Sequence, residues 1–481
     1  MEIRNLEPKV VWNHFQDLNN VPRPSKKEER VIAFMKDFGE SNNLNTYVDP
    51  SGNVIIKKPA SLGMENRQTV ILQSHLDMVH QKNADTVFDF NTQGINMLID
   101  GDWVTADGTT LGADNGMGVA TIMSLLVSEN IAHPPLEALF TIDEETGMTG
   151  AFELEKNILD GTILLNLDTE DDDEFSIGCA GGIDTNTNYT YQSVATNEND
   201  TAFEISVTGL KGGHSGMEIH LERGNANKLM NRVIASLQSF DLRIVSIDGG
   251  SLRNAIPRES FATIVINTNA IDEVLQNEID EIKEEFSISD SNISISYNKV
   301  EVPNNSMNNT DSKKVIQSIR AAQNGVYKMS MAIAGLVETS SSLARVIVKD
   351  GSYQTQSLQR SSVESSKMDI AKTVGASFLM IGADVEHTGS YPGWAPNPIS
   401  EILEIMVPLY KEMYNEEPKV QACHAGLECG ILNERYPGLD MISFGPTIKN
   451  PHSPDEKVHI GSVKKFWELL LEVLVRIPEK N

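Results

Sequence analysis

Four short apolar runs in this chain each end at residues able to bind a cation, and this pattern constrains the fold more than any other feature. Val70–Leu72 runs into QSHLD, Ala138–Ile142 into DEE, Ile163–Leu167 into Asp168, and Met441–Phe444 into GPTIKNPH. Runs of this length predict strands buried on both faces, as in a sheet sandwiched by helices. NGMGVATIMSLLVS (115–128) and the stretch 462–477 predict flanking helices, with Asp114 as a side-chain cap of the first. In open α/β sheets ligands bind beyond the carboxyl ends of the strands, so residues distant in sequence have a reason to converge there.

From about residue 183 the sequence changes character. Asn- and Thr-rich DTNTNYTYQSVATNEND leads into FEISVTG, whose alternation predicts a half-exposed strand. A Gly-rich turn, KGGHSG, a predicted helix over 225–239 and two more strand-like segments, FATIVINT and ISISYNKVEV, follow. Pro- and Gly-rich SYPGWAPNP marks a return to the first pattern. The expected class is α/β: a discontinuous domain with a mostly parallel sheet between helices over 1–182 and 393–481, interrupted by an inserted α+β domain over 183–392. The run DTEDDDE (168–174) is expected to be largely a solvated loop.

Charge narrows the partners. Sixty-eight acidic against 39 basic residues give a net charge of −29, which repels nucleic-acid phosphates and anionic membranes. No stretch approaches the length of a membrane span, and MEIRNLEPKV lacks the basic-then-apolar pattern of a signal peptide, so a cytoplasmic location is expected. Cys179, Cys423 and Cys429 are too few for a disulfide framework, and the spacing of Cys423, His424 and Cys429 fits no common zinc pattern, which predicts buried thiols.

Each potential ligand alone has an ordinary explanation. His75 and Asp77 could be hydrogen-bonded core residues, Glu144 and Glu145 solvated charges, Asp114 a helix cap, Asp168 part of its acidic loop and His452 a turn residue. Those explanations fail jointly, because every one of the four strand-like runs leads to such a residue. Imidazole nitrogen and carboxylate oxygen suit Zn²⁺, Mn²⁺ or Co²⁺.

HLDMV, LGADNGMG, DEETGMTGA, NLDTED, GGHSG and GPTIKNPHSPDEKVHI resemble the motifs of the dinuclear-zinc M20 metallopeptidases, and the likeness spans effectively the whole chain. SLRNAIPRES and QACHAGLECGIL are similar to the aminoacyl-histidine dipeptidase branch, with Ser74 and His80 standing where relatives often carry Gly and Pro. The resemblance implies two Zn²⁺ per chain, with Mn²⁺ or Co²⁺ able to substitute: His75 and Asp168 on one, Glu145 and His452 on the other, Asp114 bridging. It also implies that Asp77 orients the His75 ring and that Glu144 is the general base for a metal-bridged water. By the same resemblance His214, from its own or a partner subunit, stabilises the oxyanion, Asn254 binds substrate, and Arg360 and Gly426 hold a C-terminal carboxylate. The implied activity is hydrolysis of short peptides, chiefly dipeptides, carnosine-like Xaa-His among them. A homodimer is implied too, with the inserted domain closing over the substrate by hinges near 183 and 392. Rival readings are an aminotripeptidase, an N-acyl-amino-acid deacylase of the same family, and a catalytically silent binding protein.

Overall fold

The four apolar runs form four adjacent parallel strands: β1 Val70–His75, β2 Leu136–Thr141, β3 Ile163–Asn166 and β4 Asp440–Ser443. In this computed structural model, which describes residues 2–268 and 270–480, they are buried almost throughout, as runs without alternation require. Their order across the sheet is β2-β1-β3-β4. The parallel character is confined to this centre. Asn45–Val48 and Val54–Lys58 extend the sheet antiparallel on the β2 side, and Glu174–Cys179 pairs antiparallel with β4 on the other. An eighth strand, Lys419–Cys423, completes the mixed sheet.

The chain divides into two compact units, one comprising Met1–Gly178, Pro396–Ala422 and Leu427–Asn481, the other Cys179–Ala395 and Cys423–Gly426. In the first, helix α1 (Ala113–Leu126) is buried on every side, which its apolar, small-residue sequence permits. It begins two residues earlier than expected, and Asp114 does not cap it; Gly112 occupies that position with φ +70°. Asp114 is not free to cap because its carboxylate is engaged by two histidines. The C-terminal helix spans Ile460–Arg476, and its apolar face (Val463, Phe466, Leu470, Val473, Leu474) is buried.

The acidic run 168–174 departs from expectation, since all seven of its residues are half-buried. Asp172 is bound by Thr447 and Lys465, which ties the run to the C-terminal segments.

The second unit is built on an antiparallel sheet of nine strands. All of FEISVTG but its final glycine lies in Thr201–Thr208, which pairs with Ser260–Ile266 on one side and Ser294–Val300 on the other. The helix expected over 225–239 spans Ala226–Ser236, capped by Asn225, whose side chain accepts the N–H groups of Asn227 and Lys228. Leu229, Met230, Val233 and Ile234 share its inner face and pack with Ile205, Ile244, Ile264 and Val346 of the sheet. Among the described residues no helix is long and apolar enough to cross a membrane.

Candidate metal centre

Sheet register brings the candidate ligands together. β1 pairs with β3 through Gln73↔Asn166, so His75 and Asp168, each two residues further on, leave the sheet side by side. β1 pairs with β2 through His75↔Thr141, and the turn after Thr141 carries Glu144 and Glu145. His452 lies in the turn of a hairpin between Ile448–Lys449 and Lys457–His459, with φ +62°. Asp114 opens α1, and the Asp114–Asn115 peptide is cis.

Asp114 sits between two histidines. Its Oδ1 is 3.2 Å from His75 Nε2 and its Oδ2 is 3.1 Å from His452 Nε2. His75 Nε2 is also 3.5 Å from Asp168 Oδ1, and His452 Nε2 is 2.9 Å from Glu145 Oε2. The five side chains therefore form two sets, His75 with Asp168 and His452 with Glu145, which share one carboxylate. On the far side of the His75 ring, Nδ1 is 3.4 Å from Asp77 Oδ1.

The electrostatics of this cluster are those of a site rich in negative charge. Burial alone would lower the His75 pKa, but Asp168 and hydrogen bonds to Asp114, Asp168 and Asp77 raise it well above 6.5. Hydrogen bonds to Asp114 and Glu145 push His452 up to about 11. Burial pushes Asp168 and Glu145 up, whereas in Asp114 the hydrogen bonds to both histidines overcome it and hold the group low. Glu144 is raised well above its ordinary value by burial, opposed by His75 and reinforced by Asp168, Glu428 and Glu145. Glu145 Oε1 is buried with no partner among the described residues. Desolvated carboxylates in this surplus favour a bound cation. His75, Asp114 and Glu145 each offer a ligand atom within 4.8 Å of the others, and the donors are all nitrogen and oxygen. The donor set fits divalent cations.

The remaining residues singled out in the sequence lie in the second unit. His214 pairs with Ala255 across a short antiparallel ladder, which brings the exposed Asn254 beside it; the Asn254 carbonyl accepts the Ser215 N–H at 2.8 Å. His214 Nδ1 accepts the N–H groups of Gly216 and Met217 at 3.2 and 3.0 Å, so a neutral ring carries its proton on Nε2. Burial and then Arg360 lower the His214 pKa and favour that neutral ring. Arg360 is 4% exposed, donates to Tyr391 Oη at 2.7 Å and places NH2 3.5 Å from His214 Nε2. Among the described residues no carboxylate pairs with it. Gly426 belongs to this unit, two residues from His424, whose ring bonds Ser340 Oγ at 2.8 Å. Cys179 and Cys429 are buried and Cys423 half-buried.

Four residues near the centre escaped the sequence reading. Arg23 and Glu456 are 1% and 2% exposed and grip the backbone around Asp114. Glu428 accepts from Gln73 Nε2 and Thr141 Oγ1, both at 2.7 Å, at the carboxyl ends of β1 and β2, and burial pushes its pKa up to about 8. Glu170, inside the supposedly solvated run, is pushed to about 8 by burial and then by Asp114 and Asp168.

Residues 71–476 match the model of Peptidase family M20/M25/M40. The chain belongs to the M20 peptidase family. It is 42% identical over 483 residues to the cytosol non-specific dipeptidase of Escherichia coli (strain K12), with both chains covered in full. The crystal structure of aminoacylhistidine dipeptidase from Vibrio alginolyticus superposes with a TM-score of 0.96 at 43% identity, covering 100% of this chain and 99% of that one. Aminopeptidase PepT from Bacillus cereus shares the fold alone, with a TM-score of 0.57 at 16% identity and 98% of each chain covered. The M20 family expected from the motifs, and the α/β class with an inserted α+β region expected from the apolar runs and the change of composition, therefore hold.

Proposed function

We propose that this M20 enzyme is a metallo-dipeptidase that holds two Zn²⁺ per chain, replaceable by Mn²⁺ or Co²⁺, and hydrolyses short peptides, chiefly dipeptides including Xaa-His. The observation that carries the reading is the placement of Asp114, each of whose carboxylate oxygens faces a different histidine. His75 and Asp168 would hold one ion, His452 and Glu145 the other, and Asp114 would belong to both. When bound, such a pair polarises the scissile carbonyl and makes an attacking water more acidic. Glu144, with its raised pKa, takes the proton of that water and returns it to the leaving amine. Asp77 fixes the ring and tautomer of His75. His214 presents Nε2–H to the developing oxyanion.

The dipeptide preference rests on Arg360, a buried guanidinium whose fork suits a substrate carboxylate. Gly426 and Asn254 are assigned to the same substrate. Both dipeptidase relatives are named for this class of reaction, and the name of the Escherichia coli protein supports a cytosolic location. A homodimer completes the reading and is checked by light scattering on the purified protein.

Metal analysis of purified protein, paired with turnover of a dipeptide panel by the parent and Glu144→Ala, tests the assignment. The expected outcome is two ions per chain in both proteins and a loss of roughly 10²–10⁴-fold in kcat for the variant. Absence of metal with no activation by Zn²⁺, Mn²⁺ or Co²⁺, or near-parental turnover by Glu144→Ala, overturns it. Tripeptides and N-acyl amino acids in the panel separate the rival activities of the same site.

A further inference from the structure

Leu111–Asp114, the segment that delivers Asp114, has its backbone polar groups bound by side chains from two distant parts of the chain. Glu456 Oε2 accepts the N–H groups of Leu111 and Gly112 at 2.7 and 2.9 Å, and Oε1 accepts those of Ala113 and Asp114 at 2.7 and 3.2 Å. From the opposite polarity, Arg23 NH2 donates to the Gly112 carbonyl at 2.5 Å. Asn19, held by the same Arg23 nitrogen at 3.1 Å, donates to the Leu111 carbonyl at 3.0 Å. Arg23 NH1 reaches the Leu76 and Asp77 carbonyls, both at 3.1 Å, in the turn directly after His75. Glu456 itself is four residues beyond His452, and its N–H bonds the Ser453 carbonyl at 3.0 Å within that loop.

Two buried side chains of opposite polarity thus link the three segments that carry His75, Asp114 and His452. The packing leaves them no slack. A Cβ at Gly112 would lie 2.5 Å from Arg23 NH2, and this glycine's φ of +70° is itself unfavourable for a side chain. A buried carboxylate that accepts four backbone N–H groups fixes that backbone in one conformation, because any other leaves desolvated donors unpaired.

We infer that Glu456 and Arg23 form a buried clamp that sets the position of Asp114 between His75 and His452, and so act as positioning residues for metal binding. This rests on the metal reading of the five-residue cluster. Neither side chain touches substrate; each acts through the backbone of a ligand. A glutamine at 456 keeps the shape but has one acceptor oxygen, and it turns an NH₂ group against two of the four N–H donors. A lysine at 23 keeps the charge but cannot bridge the two loops as a planar fork does.

The test uses full-length parent, Glu456→Gln and Arg23→Lys proteins, stripped of metal and titrated with Co²⁺ against a chelator while visible absorption is recorded. The parent is expected to take up two Co²⁺, and each variant to lose about 10–100-fold in affinity with shifted absorption bands, the scale for residues that orient metal ligands. If Glu456→Gln does not fold, Arg23→Lys decides alone. Variants with a lowered melting temperature when metal-free, but parental affinity and spectrum, assign the pair to stability only and overturn the inference. A parent that takes up no Co²⁺ overturns the metal reading and this inference with it.

Discussion

The Asp77 carboxylate accepts the backbone N–H of Glu144 at 3.0 Å through Oδ1, the same oxygen that lies 3.4 Å from His75 Nδ1. Its other oxygen accepts from Ser25 Oγ at 2.8 Å and from the Glu145 N–H at 3.3 Å. One side chain therefore orients a histidine and anchors the turn that presents both glutamates. Asp77→Ala is expected to weaken metal binding about 10–100-fold, as loss of a ligand-orienting carboxylate does. Because the Glu144 turn also loses its anchor, kcat should stay depressed at saturating metal. Full recovery of turnover on adding Zn²⁺ would confine Asp77 to the ring of His75.

Arg360 yields a prediction about the substrate's carboxyl end. Its Nε has no partner, and its guanidinium meets only Tyr391 and His214 among the described residues. A charge-assisted pair is worth about 1.5–3 kcal/mol, so Arg360→Ala should lower kcat/KM for free dipeptides by roughly 10- to 150-fold, mostly through KM. C-terminally amidated dipeptides should be poor substrates for the parent and lose little more in the variant. Equal cleavage of free and amidated peptides by the parent would refute carboxylate capture.

The parts of this molecule that could be read from sequence are those in which neighbours in the chain share an environment. β1, β2, β3 and β4 are buried on both faces, so each contains a short apolar run, and the candidate ligands lie at its end or in the loop beyond. Asp114 in front of an apolar helix has the same local sequence whether it caps that helix or serves two histidines, and only the fold decides. Glu170 sits among other acids that suggest water, yet the loop folds inward. Glu456 and Arg23 were hidden for a different reason: Glu456 is 345 residues from its partner Leu111, and Arg23 is 89 from Gly112. Nothing in the local pattern of either marks it as buried.

His424 carries a prediction about acid stability. Burial, followed by the charges of Arg360, His214 and His220, lowers its pKa from 6.5 to about 3. The unfolded chain binds a proton at this residue below about pH 6.5, while the folded chain binds it only near pH 3. Its contribution to stability is therefore complete above pH 6.5 and lost as the pH falls through that window, with a slope of at most about 1.4 kcal/mol per pH unit. His424→Gln should flatten the fall in stability of the metal-free protein between pH 6 and 4, read from urea midpoints. Parallel curves for parent and variant would mean that the ring is protonated in the folded state.

Gly118 tests how tightly α1 is seated on the sheet that carries the candidate ligands. A Cβ there would lie 2.2 Å from Asn115 Oδ1, 2.4 Å from Ser74 Oγ and 2.7 Å from the Leu167 carbonyl. The first two contacts are to side chains, but the third is backbone at the carboxyl end of β3, one residue before Asp168. Asn115 Nδ2 bonds that same carbonyl at 2.9 Å, so Asn115 cannot rotate away without losing the bond. Gly118→Ala is expected to cost about 1–3 kcal/mol through overpacking, despite the higher helix propensity of alanine. Because the strain falls on the residue preceding Asp168, metal affinity should fall along with the urea midpoint. A variant with parental stability would show that α1 has room to shift, and that its contact with β3 does not fix Asp168.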